Sequence, residues 1–140
     1  MSETLKVLLV EDDDVDAERV DRAFLKLNLP LPIRRARDGV EALEILRGES
    51  LPLFERPYII LLDLKLPRMG GLQFLGCVRE DADLRDAVVF VLTTSRNEAD
   101  QYRAHQWNVA GYIVKSPVDG DFVHTANLLE WYRRVVEFHQ

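Results

Sequence analysis

Tyr58-Ile59-Ile60-Leu61-Leu62-Asp63-Leu64-Lys65-Leu66-Pro67 is the stretch on which the reading of this chain turns. Its five leading apolar residues do not alternate with polar ones, which predicts a β-strand covered on both faces, as in a parallel sheet. The run stops at a lone charge, Asp63. A carboxylate placed where a buried strand meets solvent is costly unless a cation or several donors compensate it, so Asp63 calls for partners elsewhere in the chain.

Similar apolar runs occupy residues 7–10, 88–92 and 111–114, with a weaker one at 33–36. Between them apolar residues recur at helical spacing: Val20, Ala23, Phe24 and Leu27; Val40, Leu43 and Leu46; Leu72, Leu75 and Val78; more weakly Ala99, Tyr102 and Trp107. The last segment, residues 121–138, is apolar on two sides, with Phe122, Ala126 and Leu129 on one and Leu128, Trp131, Tyr132 and Val135 on the other. One side satisfies a core. The second reads either as a contact surface or as a broad core stripe with scattered surface aromatics. Strand and helix alternate five times, so the predicted fold is α/β, a doubly wound five-stranded parallel sheet of the (βα)5 kind.

The 140 residues suit one domain, able to bury roughly two thirds of its unfolded surface, and a single domain over residues 1–140 with no output domain is expected. With 47% apolar and 30% charged residues the composition is that of a globular protein without a disordered tail. A net charge of −6, with basic residues scattered, disfavours direct nucleic-acid binding. The single cysteine, Cys77, forms no intramolecular disulfide and is expected to be a buried thiol. No signal peptide opens the chain and no apolar run approaches the ~20 residues that span a bilayer, so a cytoplasmic protein is expected.

The predicted strands end in particular polar groups: Glu11-Asp12-Asp13-Asp14, then Asp63, then Thr93-Thr94-Ser95, with Lys115 after the last strand. Parallel strands bring these to one rim, where the crevice of an open parallel sheet lies. Converging carboxylates suit a hard divalent cation, Mg²⁺ above all. Asp13, Asp14 and Asp16 read better as acids of a helix N-terminus than Glu11 and Asp12 do. A calcium loop is disfavoured, because its sixth and twelfth positions from Asp12 are Ala17 and Ala23. Beside a metal, Asp63 becomes a nucleophile toward phosphorus, with Lys115 and Thr93 sharing the phosphoryl charge. His105, His124 and His139 have no metal-ligand spacing.

In this order the motifs resemble the receiver domain of two-component response regulators: Glu11-Asp12-Asp13 after a strand, Leu62 to Pro67 followed by Gly70-Gly71, Leu92-Thr93-Thr94, and Gly111-Tyr112-Ile113-Val114-Lys115. The resemblance covers essentially the whole chain and implies the flavodoxin-like receiver fold. It implies that Asp63 accepts a phosphoryl group from a sensor histidine kinase. Glu11, Asp12, Asp63 and the backbone carbonyl of Lys65 would hold Mg²⁺ or Mn²⁺. Thr93, 22 residues ahead of Lys115, would be the switch hydroxyl. Thr94 would take the adjacent small-residue position, Tyr112 would be the switch aromatic, and Lys115 would grip the phosphoryl group. Lys65 and Ser95 would tune the lifetime of the acyl phosphate.

The same resemblance implies signalling through the fourth helix, fifth strand and fifth helix. A homodimer or partner face would use Trp107, Leu128, Trp131, Tyr132 and Val135. Residues 107–115 and the long loop before the third strand resemble single-domain regulators served by phytochrome-type kinases. One departure is Lys115-Ser116-Pro117: the family commonly has a cis proline directly after the lysine, and the bond most able to be cis moves here to Ser116-Pro117. Two rivals stand beside this reading. Phosphatases of the haloacid dehalogenase type need an aspartate at position 65, which is lysine. A degenerate receiver serving as a phosphorylation-independent scaffold sits poorly with the intact set Asp12, Asp63, Thr93 and Lys115.

Overall fold

Neighbouring residues of the central strands point into different layers, and that alternation organises the molecule. The computed structural model describes residues 4–115 and 122–135. Its elements run β1 (Lys6–Val10), α1 (Asp14–Lys26), β2 (Ile33–Ala36), α2 (Gly39–Leu46), β3 (Tyr58–Leu62), α3 (Gly71–Glu80), β4 (Val88–Thr93), α4 (Glu98–Gln106), β5 (Gly111–Val114) and α5 (Val123–Val135). All strand pairs are parallel, in the order β2-β1-β3-β4-β5. The chain steps outward from β1 to β2 and then crosses to β3, so the switch point lies between β1 and β3.

Leu8, Val10, Ile60, Leu62, Val89 and Val91 pack on one side against α2 and α3, through Leu43, Ile45, Phe74, Leu75 and Val78. Val7, Leu9, Ile59, Leu61, Phe90 and Leu92 pack on the other against α1 and α5, through Val20, Ala23, Phe24, Ala126 and Leu129. All five residues of β3 are buried. Each such aliphatic side chain contributes about 1.5–3 kcal/mol when removed from water, which is why the uninterrupted run at 58–62 is the strongest strand signal in the chain.

Asp13, Asp38 and Asn97 cap α1, α2 and α4 by accepting from free amides of the first turn. The stripe expected on α4 is weaker than its sequence suggests: Ala99 and Tyr102 are exposed and Ala104 is its buried residue. Trp107 ends α4 half-buried against the α2–α3 layer, where its ring lies 3.3 Å from the position a side chain on Gly76 would take. Cys77 is half-buried, short of the fully buried thiol expected, because it lies at the margin of the same layer.

The two sides of α5 separate as anticipated. Phe122, Ala126 and Leu129 are buried, while Leu128, Trp131 and Val135 are exposed. Tyr132 lies between, edge-on to Phe90 at 5.1 Å between ring centres. Among the described residues no helix is long and apolar enough to cross a membrane.

Candidate functional site

The site forms because the sheet ladder continues one residue beyond three strands. Glu11 N donates to Ala36 O at 2.9 Å, Asp63 N to Val10 O at 3.0 Å, and Lys115 N to Thr93 O at 2.7 Å. These bonds fix Glu11 and Asp63 on the rim beside the switch point and Lys115 on the same rim beyond β4, from where its side chain reaches back to them. Gly71 allows the turn after Asp63: a Cβ there would fall 2.5 Å from both Asp63 O and Leu64 Cα, and its amide donates to Leu64 O at 3.0 Å.

Glu11, Asp12 and Asp63 each offer a carboxylate oxygen within 4.8 Å of the others. Glu11 and Asp63 are buried and Asp12 is exposed, so the cluster opens to water on one side. An all-oxygen donor set with room for water fits a hard divalent cation. Lys115 meets the cluster from β5, its Nζ donating to Glu11 Oε1 at 2.7 Å, Asp16 Oδ2 at 2.7 Å and Asp63 Oδ2 at 3.2 Å. One ammonium faces these acids and Asp12 beside them, and the surplus negative charge favours a further cation. Burial pushes the Glu11 carboxyl above its ordinary range, with the nearby Asp63 charge adding to the effect and Lys115 opposing it. Burial would lower Lys115, but its bonds to Asp16 and Glu11 and the charge of Asp63 outweigh that and hold the ammonium above its usual value.

Thr93 is fully buried at the end of β4, and its Oγ1 accepts from Ser95 N at 3.3 Å. Ser95 is the junction of this loop. Its Oγ donates to Asp100 Oδ2 at 2.7 Å and accepts from Asn97 N at 3.3 Å, while its carbonyl accepts from Tyr112 Oη at 3.0 Å. Burial pushes the half-buried Tyr112 hydroxyl up, opposed by the bond to Ser95. Thr94 points outward and is exposed. Lys65 donates its backbone N–H to Asp63 Oδ1 at 3.1 Å and leaves its side chain exposed.

The acidic run divides as the helix reading anticipates for Asp13, which accepts from Val15 N and Asp16 N. Asp14 pairs with Arg35 and Arg37 at 2.7 and 2.9 Å. Asp16 departs from that reading, since its carboxylate takes Lys115. The signal was available: an N-cap at Asp13 puts Asp16 in the first turn, back over the strand end. A second unanticipated contact is Arg68 to Asp38, bidentate at 2.7 and 3.0 Å, which ties the β3–α3 loop to the cap of α2. Of the expected contact face, Leu128, Trp131 and Val135 are exposed, whereas Trp107 and Tyr132 pack against the core layers. The Ser116-Pro117 bond lies outside the described residues.

Residues 7–127 match the family model of the response regulator receiver domain. The chain belongs to the receiver family. Among curated relatives of this receiver, the probable methanogenesis regulatory protein FilR2 of Methanothrix harundinacea is 36% identical over 131 residues, covering 90% of this chain and 81% of the relative. Response regulator Rcp1 of Synechocystis is 35% identical over 114 residues, covering 79% of this chain and 76% of Rcp1. In its Mn²⁺-bound form Rcp1 superposes with a TM-score of 0.84 at 31% identity, over 96% of this chain and 99% of the other. The phosphorylated cyanobacterial phytochrome response regulator RcpA superposes with a TM-score of 0.88 at 31% identity, over 99% of this chain and 100% of the other.

Proposed function

We propose that this receiver is a cytoplasmic phosphoacceptor response regulator, taking a phosphoryl group on Asp63 from a sensor histidine kinase. The observation that carries this reading is the meeting of Glu11, Asp12 and Asp63 in one oxygen cluster with Lys115 Nζ 3.2 Å from Asp63. Glu11, Asp12, Asp63 and the Lys65 carbonyl would hold Mg²⁺ or Mn²⁺, which when bound neutralises charge on the transferring group. An oxygen of the Asp63 carboxylate forms the new bond to phosphorus as the bond to the donor breaks, and the donor atom keeps the electron pair. Lys115 then holds a phosphoryl oxygen. Position 65 carries an exposed lysine where a phosphatase of the haloacid dehalogenase type would need an aspartate, which disfavours turnover of an outside substrate.

Thr93 couples the site to the surface. Its hydroxyl oxygen accepts from the Ser95 amide, and a phosphoryl oxygen on Asp63 would offer the hydroxyl proton a strong charged acceptor, so the hydroxyl turns toward Asp63. Ser95 follows, and with it the carbonyl that holds Tyr112. The change reaches the surface of α4, β5 and α5, where Leu128, Trp131 and Val135 form an apolar face for a homodimer or a partner protein. Similarity to RcpA, a phytochrome response regulator, supports a phytochrome-type kinase as the donor.

Incubation with acetyl phosphate and Mg²⁺ tests the reading. A labile mass gain is expected in the wild type and none in Asp63→Asn. No gain in the wild type would favour a binding scaffold, and steady phosphate release from many small esters would favour a phosphatase.

A further inference from the structure

Lys115 carries three N–H donors, and all three are engaged, to Glu11, Asp16 and Asp63. Its side chain is 9% exposed, so water has little access to it. A phosphoryl oxygen arriving on Asp63 must therefore displace one of these acceptors. Glu11 and Asp63 belong to the oxygen cluster, but Asp16 does not. Asp16 is thus a competitor for the ammonium that a cation in the cluster would not remove.

The competitor is firmly placed. Asp16 donates its own amide to the Asp13 cap at 3.1 Å, its Oδ1 lies 3.9 Å from Arg19, and its Oδ2 makes a bond to Lys115 0.5 Å shorter than the Asp63 bond, 2.7 against 3.2 Å. We propose that Asp16 is a positioning residue that holds Lys115 back toward α1 and so weakens the grip of Lys115 on a phosphoryl group. The inference rests on the phosphoacceptor reading of Asp63 and adds a restraint built into the first turn of α1. Its chemistry is competition between two anions for one ammonium, which a neutral side chain of the same shape weakens by removing one of the charges.

The test is the affinity of the full chain for beryllofluoride with Mg²⁺, by titration calorimetry, in the wild type, Asp16→Asn and Asp16→Glu. Loss of one charge-assisted bond from Lys115 is expected to tighten binding about tenfold in Asp16→Asn. Asp16→Glu, which keeps the charge, is expected to stay within about twofold of the wild type, a rescue that a purely structural role would not produce. A second measurement needs neither metal nor analogue: the ¹⁵N resonance of the Lys115 ammonium is expected to shift in Asp16→Asn and not in Asp16→Glu. Unchanged or weaker beryllofluoride binding in a folded Asp16→Asn overturns the role of Asp16 alone. A wild type that binds no beryllofluoride overturns the phosphoacceptor reading and this inference with it.

Discussion

Lys115 is held by three carboxylates, two of which, on Glu11 and Asp63, are buried with it. Removing its charge strands them, and breaking such a buried pair costs about 3–5 kcal/mol. Lys115→Met is therefore expected to unfold at lower urea in the metal-free protein, with part of the loss restored by Mg²⁺; equal loss with and without Mg²⁺ would separate the lysine from the cluster. Asp38 gives a pH signature. The Arg68 guanidinium holds its carboxyl below the ordinary carboxylate range, burial opposing and the Glu41 amide assisting. A lowered native value means that the contribution is fully present above the unfolded carboxylate pKa of about 4 and is lost as pH falls through the native value. In urea melts across pH, the advantage of wild type over Asp38→Asn is expected to be level above pH about 5 and to shrink below it. The Arg68 contact is not legible in the sequence, because it depends on the path of a loop, whereas the Asp16 contact needs only the phase of α1 from its cap at Asp13. Asp63, Glu11 and Lys115 are legible because each directly follows an apolar run, and Asp12 because it comes one residue later.

The turn between β3 and α3 is the element most sensitive to a single added methyl. A Cβ on Gly71 would meet backbone at 2.5 Å, whereas one on Gly70, its immediate neighbour, would meet nothing within 4 Å. Gly71→Ala is expected to cost about 1–3 kcal/mol and to weaken Mg²⁺ binding by moving Asp63, while Gly70→Ala changes Mg²⁺ binding little; equal effects by calorimetry would contradict the close approach. Element type was readable wherever burial is periodic. On α1, Val20, Ala23 and Phe24 fall on the expected stripe and are buried. α4 was read poorly because Ala104, its one buried residue, is small, and the aromatic at Tyr102 that suggested a stripe is 66% exposed. Trp107 is ambiguous in the sequence, since a large ring at a helix end signals surface and core contact equally; it packs closely over Gly76, where an added Cβ would lie 3.3 Å from the ring.

Parallel topology was the most legible property of the molecule, because helices on both sheet faces force β1, β3 and β4 to be apolar without alternation. The order β2-β1-β3-β4-β5 then follows from a chain that reverses direction once, and it carries the strand-end charges to a common rim. The apolar side of α5 makes its own prediction. Trp131 is 63% exposed, so Trp131→Glu is expected to leave stability within about 0.5 kcal/mol while reducing self-association in sedimentation; a monomer with and without beryllofluoride would leave that face to a different partner. The phosphoacceptor account itself rests on one bond, between Asp63 and phosphorus. Treating the acetyl phosphate-reacted protein with borohydride, which reduces an acyl phosphate to an alcohol, and sequencing the peptides by mass spectrometry locates that bond directly. Reduction at position 63, dependent on Mg²⁺, is the expected result; reduction at another carboxylate, or at none, would contradict the account.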